Sequence, residues 1–133
     1  MDQHTFSYEH NGSEVVWDLR DVWRAVEDLQ TFTINVQTLK PLYKKVSSGY
    51  TKDDYERIEE ADLSFPIILS KTTTSNKTII VDGYHRIGKC LEEHIKVIKV
   101  KYIKKMPRPL YCKGKPFEIE GLDFDWYDPR RKP

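Results

Sequence analysis

"KTIIVDGYHRIGKCLEEH", residues 77–94, decides how this chain reads. Its first half is β-branched and apolar, as a buried strand requires. Its second half, from about Tyr84 to Glu93, reads as a helix ended by His94. Between them Asp82-Gly83-Tyr84-His85-Arg86 puts a carboxylate, a flexible residue, an imidazole and a guanidinium on one tight turn. A helix start leaves backbone N–H groups unpaired and carries roughly half a positive charge, so it suits an anion. Gly83 lets the chain turn and lets an anion approach the backbone. Arg86 in the first helical turn opposes the helix dipole unless an anion bridges the two, and its planar fork fits a phosphate. His85 can donate to the same anion or shuttle a proton. Asp82 can orient His85 or Arg86, or hold Mg²⁺ beside a bound phosphate. The plain alternative is that Asp82 caps the helix, Gly83 makes the turn, and Arg86 pairs with a carboxylate such as Glu59 or Glu60.

Upstream, "PIILS" is a strand opened by Pro66, where a missing N–H is tolerated. "KTTTSNK" is a polar turn joining it to "TIIV". Downstream, "IKVIKVKYI" forms another strand with lysines on its solvent side. "TFTINVQTL" alternates Phe32, Ile34 and Val36, the period of a half-buried strand. Lys40-Pro41 marks a break, and "SSGYTKDDYERIEEADLSFP" contains a short helix, with Thr51 and Asp54 at capping-box spacing. At the N-terminal end, "HTFSYEHNGSEVVWDL" reads as a β-hairpin about Asn11-Gly12, a preferred two-residue turn. Asp18 is the N-cap of "LRDVWRAVEDLQ", where Leu19, Val22, Trp23, Val26 and Leu29 share one face.

The chain has 133 residues, enough for one domain with a sizeable core, and 22 Lys plus Arg nearly cancel 21 Asp plus Glu. Net charge therefore argues for no particular partner. Its distribution says more: Lys96 to Lys115 holds eight Lys or Arg and no acid, while Glu118 to Asp128 holds five acids and no base. The basic strip is either a solvated strand face and loop or a surface for phosphate or nucleic acid, with Lys99, Lys101, Lys104 and Lys105 as its contact residues. Cys90 and Cys112 have no metal-type spacing, and Cys90 reads as a small buried hydrophobe. The start is too polar for a signal peptide, and no apolar run approaches the ~20 residues needed to span a bilayer. These features predict a cytoplasmic chain with no membrane partner.

Mixed helix and strand order predicts an α/β or α+β class. The expected organisation is a domain over residues 1–106, opened by the N-terminal β-hairpin, and a Pro-rich C-terminal tail over 107–133. That extended tail either straps the domain through Phe124, Trp126 and Tyr127 or docks a partner.

From Thr31 to Ile103, through "ADLSFPIILS" and the corner itself, the chain resembles the ParB/sulfiredoxin-like fold. The resemblance implies a mixed sheet with helices and a nucleotide-phosphate site made by Gly83, Tyr84, His85 and Arg86. Sulfiredoxins carry their catalytic cysteine where this chain has Tyr84, and a phenol cannot replace a thiolate, so that activity is not expected. Chromosome-partition ParB proteins match at Gly83, His85 and Arg86, but Tyr84 stands in place of their acid and no helix-turn-helix pair follows. ParB-like nucleases remain possible. ParB-like small-molecule kinases, including free-serine kinases, resemble Asp82-Gly83-x-His85-Arg86 closely.

That last likeness implies a site for ATP or another nucleoside triphosphate with Mg²⁺ at Asp82. Asp82 and His85 would be catalytic, and the acceptor a small molecule or protein. Glu59, Glu60 and Asp62 are candidates for the base by chain position. The resemblance also suits a bacterial or phage accessory role. The leading expectation is therefore ATP-dependent phosphotransfer or nucleotide hydrolysis. The alternative is a non-catalytic module binding nucleic acid through the basic strip, or protein through the tail.

Overall fold

The computed structural model describes residues 5–10, 13–72, 76–113 and 125–127. The Asn11-Gly12 turn, the middle of "KTTTSNK", Lys115 and Phe124 lie outside them. Helices and mixed sheets alternate, so the class is α+β. The chain divides into two compact units interleaved in sequence, one over 1–28, 70–78 and 103–133, the other over 29–69 and 79–102.

In the first unit, strands β1 (Thr5–His10) and β2 (Ser13–Asp18) form the expected antiparallel hairpin. β8 (Tyr111–Lys113) pairs antiparallel with the other edge of β2. Val15, Val16 and Trp17 are consecutive yet all buried, so both faces of this central strand are covered. The Trp17 indole donates to the Pro107 carbonyl at 2.7 Å, which satisfies its one donor inside the core. Helix α1 (Leu19–Val26) starts where Asp18 accepts from the Arg20 N–H, the cap read from the sequence. It buries Leu19, Val22 and Val26. The five-residue face expected for it is shorter, because the helix stops before Leu29 and Trp23 sits at the stripe's margin, 38% exposed. The tail is not simply extended: β7 (Lys105–Pro107) pairs in parallel with β9 (Asp125–Tyr127).

The second unit carries the corner. Its sheet has the order β3-β6-β4-β5, from β3 (Phe32–Asn35), β6 (Val97–Tyr102), β4 (Ile67–Lys71) and β5 (Thr78–Asp82). β6 runs antiparallel to β3 and parallel to β4. Phe32, expected on the inward face of a half-buried strand, is 46% exposed, because β3 is an edge strand and its first residue lies at the sheet margin. Val36 leaves the strand for a 3-10 turn over Val36–Thr38, begun by the Asn35 side chain accepting from the Gln37 N–H.

Lys40-Pro41 is not a break but the start of helix α2 (Lys40–Ser47). Proline is tolerated there because the first-turn N–H has no intrahelical acceptor anyway. Helix α3 (Lys52–Glu60) and helix α4 (Tyr84–Glu92) follow the sequence reading closely. Val36, Leu39, Ile67, Leu69, Ile80, Ile87, Cys90, Ile98 and Val100 form one buried cluster between the sheet and the helices. His94 ends α4 in the left-handed conformation, φ 57°, and Ile95 N–H closes back on the Cys90 carbonyl at 2.8 Å. Among the described residues, no helix is long and apolar enough to cross a membrane.

Candidate functional site

The β5–α4 corner is built on Gly83, the N-cap of α4, with φ 114°. A Cβ there would meet Ile67 Cγ2 at 2.3 Å, so this backbone lies against β4 and only glycine fits. The glycine's bare face is therefore turned toward core, not toward an open anion cradle. Beyond it, the first intrahelical bond is Ile87 N–H to the Gly83 carbonyl at 3.1 Å. That geometry leaves the N–H groups of Tyr84, His85 and Arg86 without an acceptor inside the helix. Tyr84 packs its ring on the core cluster, and burial raises its phenol above the usual range.

Arg86 and Asp82 meet across one helical turn, Nη2 to Oδ2 at 3.3 Å, and both are about four-fifths buried, with side chains 19% and 18% exposed. Arg86 Nη1 also donates to the Pro66 carbonyl at 2.5 Å and lies 3.4 Å from that of Phe65. A cation in the first turn is thus neutralised by the protein's own oxygens, and the charge conflict read from the sequence is resolved without a ligand. Asp82 orients Arg86 rather than His85. The carboxylates expected as Arg86 partners, Glu59 and Glu60, are exposed, while the Glu59 carbonyl accepts from Lys89 at 2.8 Å. Asp62 accepts from the Ser64 backbone and hydroxyl, which lower its pKa.

His85 turns instead to helix α3. Its Nε2 lies 3.1 Å from Asp54 Oδ1, and the two side chains are part-buried, 31% and 28% exposed. The other Asp54 oxygen accepts from the Thr51 N–H at 2.9 Å and from its hydroxyl at 3.2 Å, completing the capping box of α3. These bonds, that from the Thr51 backbone foremost, hold the Asp54 carboxyl below its usual pKa. An ionised Asp54 makes Nε2 the donor, and in the neutral form of the ring Nδ1 is then the acceptor. Tyr50 lies against the imidazole, with ring centroids 5.7 Å apart. Asp54 was legible as a capping residue, but nothing local in the sequence pointed it at His85.

No family model, curated protein or solved structure matches this chain.

The remaining candidates are placed as follows. Cys90 is 1% exposed inside the core cluster, and burial raises its thiol, so it offers no thiolate to the corner. Lys99, Lys104 and Lys105 are exposed, whereas Lys101 is half-buried. No group of three or more His, Cys, Asp or Glu able to hold a metal occurs among the described residues. Asp82, with one oxygen turned to Arg86, fits only a Mg²⁺ that arrives with most of its ligands supplied by phosphate and water.

Proposed function

We propose that the start of α4 binds a phosphate-bearing ligand, a nucleoside triphosphate with Mg²⁺. In this reading the His85–Asp54 pair is the acid–base group of a phosphotransfer or nucleotide hydrolysis reaction. The observation that carries it is the 3.1 Å contact between His85 Nε2 and Asp54 Oδ1, on a helical turn whose N–H groups have no acceptor inside the helix. A carboxylate on one ring nitrogen sets the tautomer and leaves the other nitrogen to take a proton from a hydroxyl or water. Phosphoryl transfer otherwise asks mainly for positioning and charge neutralisation, which helix N–H groups supply. Mg²⁺ held by Asp82 would neutralise charge on the phosphates.

In this reading Arg86 and Asp82 position the turn, His85 does the proton transfer, and Asp54 replaces Glu59, Glu60 and Asp62 as the acid of interest. A parallel β4–β6 pair beside a Gly-turned strand-to-helix corner supports the ParB/sulfiredoxin-like comparison. The test is a melting panel with ATP, CTP, GTP and inorganic phosphate, with and without Mg²⁺, joined to phosphate-release assays. A ligand at a hundred times its Kd adds ~2.7 kcal/mol, readily seen as a higher Tm. Stabilisation by one triphosphate, and turnover lost in His85→Asn and Asp54→Asn, is the expected result. If none of them stabilises or is consumed by the wild type, the reading fails.

A further inference from the structure

At the far end of α4 from the corner lies a cavity of about 410 Å³, within the size range of small-molecule sites. It is bounded by the last turn of the helix, the connection into β6 and the exit from β3. The Val36 N–H donates to the Lys96 carbonyl at 2.9 Å and ties the last two together. A helix of nine residues is ~13 Å long, and no residue of the corner lines this cavity.

The lining divides by chemistry. Its apolar part is Leu91 and Ile95, half-buried against the core cluster, together with Cys90 of the cluster itself. Burial, and after it Glu93, raises the Cys90 thiol, so the sulfur presents neutral surface. Its polar part is exposed: Asn35, Gln37, His94 and Lys96. The Asn35 oxygen accepts from the Gln37 N–H, which leaves its amide N–H groups as donors. Lys96 brings an ammonium, and an imidazole keeps an N–H in either protonation state. None of the described residues that line the cavity is acidic. Two of the carbonyls at this end of α4 are already satisfied, that of Lys89 by the Glu93 N–H and that of Cys90 by the Ile95 N–H.

His94 adds a second observation. Its φ of 57° is a helix-ending conformation that glycine adopts more readily. The chain instead sets an imidazole there, on the cavity wall.

We propose that this cavity binds a small carboxylic acid with a hydrocarbon body, the carboxylate on Lys96 and His94 and the body on Leu91, Ile95 and Cys90. A lining that is apolar on one side and rich in donors on the other, with no acid, complements such a molecule. Bare phosphate would leave the apolar side uncovered. The inference does not rest on the phosphate reading of the corner, and either can fail alone.

The test is a titration of the full chain followed by amide NMR, with phenylacetate as the probe. Phenylacetamide and phenethylamine, its neutral and cationic analogues, are the controls. Expected are saturable shifts in the millimolar range at Asn35, Gln37 and Cys90 to Lys96. The amide should bind about tenfold more weakly, for the loss of a charge-assisted hydrogen bond, and the amine more weakly still. Lys96→Gln, a change at an exposed side chain, should weaken phenylacetate about tenfold. His94→Gly should also weaken it while melting at or above the wild-type temperature. No saturable shift with phenylacetate, or equal binding of all three probes, overturns the proposal. So does undiminished binding in both variants. Shifts confined to Tyr84–Arg86 would overturn it too, and would place the carboxylate at the corner instead.

Discussion

His85 and Asp54 lie 31 positions apart in the chain, yet imidazole Nε2 and carboxylate Oδ1 are 3.1 Å from each other. One carboxylate thereby closes the start of α3 through Thr51 and tethers it to the start of α4. The two helix starts are coupled through a single side chain.

A pH dependence follows from Asp54. Its folded pKa lies below the ordinary carboxyl value of 3.8, so its stabilisation is complete above that value. As pH falls, the unfolded chain protonates first, and the contribution is lost until the folded carboxyl protonates too. Asp54→Asn should lower stability at neutral pH and flatten the decline through the acid range. Urea unfolding at a series of pH values measures both. Parallel wild-type and variant curves would show that Asp54 does not carry this linkage.

Gly83→Ala should be among the most damaging single changes in the second unit. The added methyl has a positive φ to bear and lies 2.3 Å from Ile67 Cγ2. Backbone strain and overpacking together cost about 2–5 kcal/mol. Chemical denaturation of the purified variant gives the number, and a loss under about 1 kcal/mol would mean that the corner relaxes freely.

Arg86→Ala should destabilise the protein with no ligand present, by about 1–3 kcal/mol for the partners left unsatisfied. The reason is that the guanidinium ties the Pro66 carbonyl to the Asp82 carboxylate. Arg86→Lys should recover only part of this, since an ammonium lacks the planar fork. Equal melting temperatures for wild type and Arg86→Ala without ligand would return Arg86 to a purely ligand-binding role.

At the alkaline end, the phenols of Tyr43, Tyr50 and Tyr84 are all raised above the ordinary phenol value of 10.0, chiefly by burial. The folded protein then holds protons that the unfolded chain releases, so stability falls as pH rises past that value. Tyrosine absorbance should show a group that ionises only on unfolding. Complete ionisation at the ordinary phenol pKa in the folded protein would contradict the packing of Tyr50.

Much of the fold was legible because its cues are local. Asp18 before α1, the Thr51–Asp54 box before α3 and Gly83 before α4 each act within a few residues. Lys40-Pro41 was misread because proline both ends helices and begins them, and only the chain beyond it tells which. Phe32 was misread because alternation marks a strand's inward face but not its place in the sheet.

By itself, the sequence determined the strand–glycine–helix corner and the polar residues gathered on it, since dihedral preference and spacing suffice for both. Tertiary structure alone decided their partners. It gave Arg86 to Asp82 and the Phe65–Pro66 carbonyls, brought Asp54 to His85, and buried the Tyr50 hydroxyl beside them. The physical reason is that a side chain's charge is intrinsic to it. The group that neutralises that charge is set by which helices and strands pack together, and one stretch of chain does not contain that information.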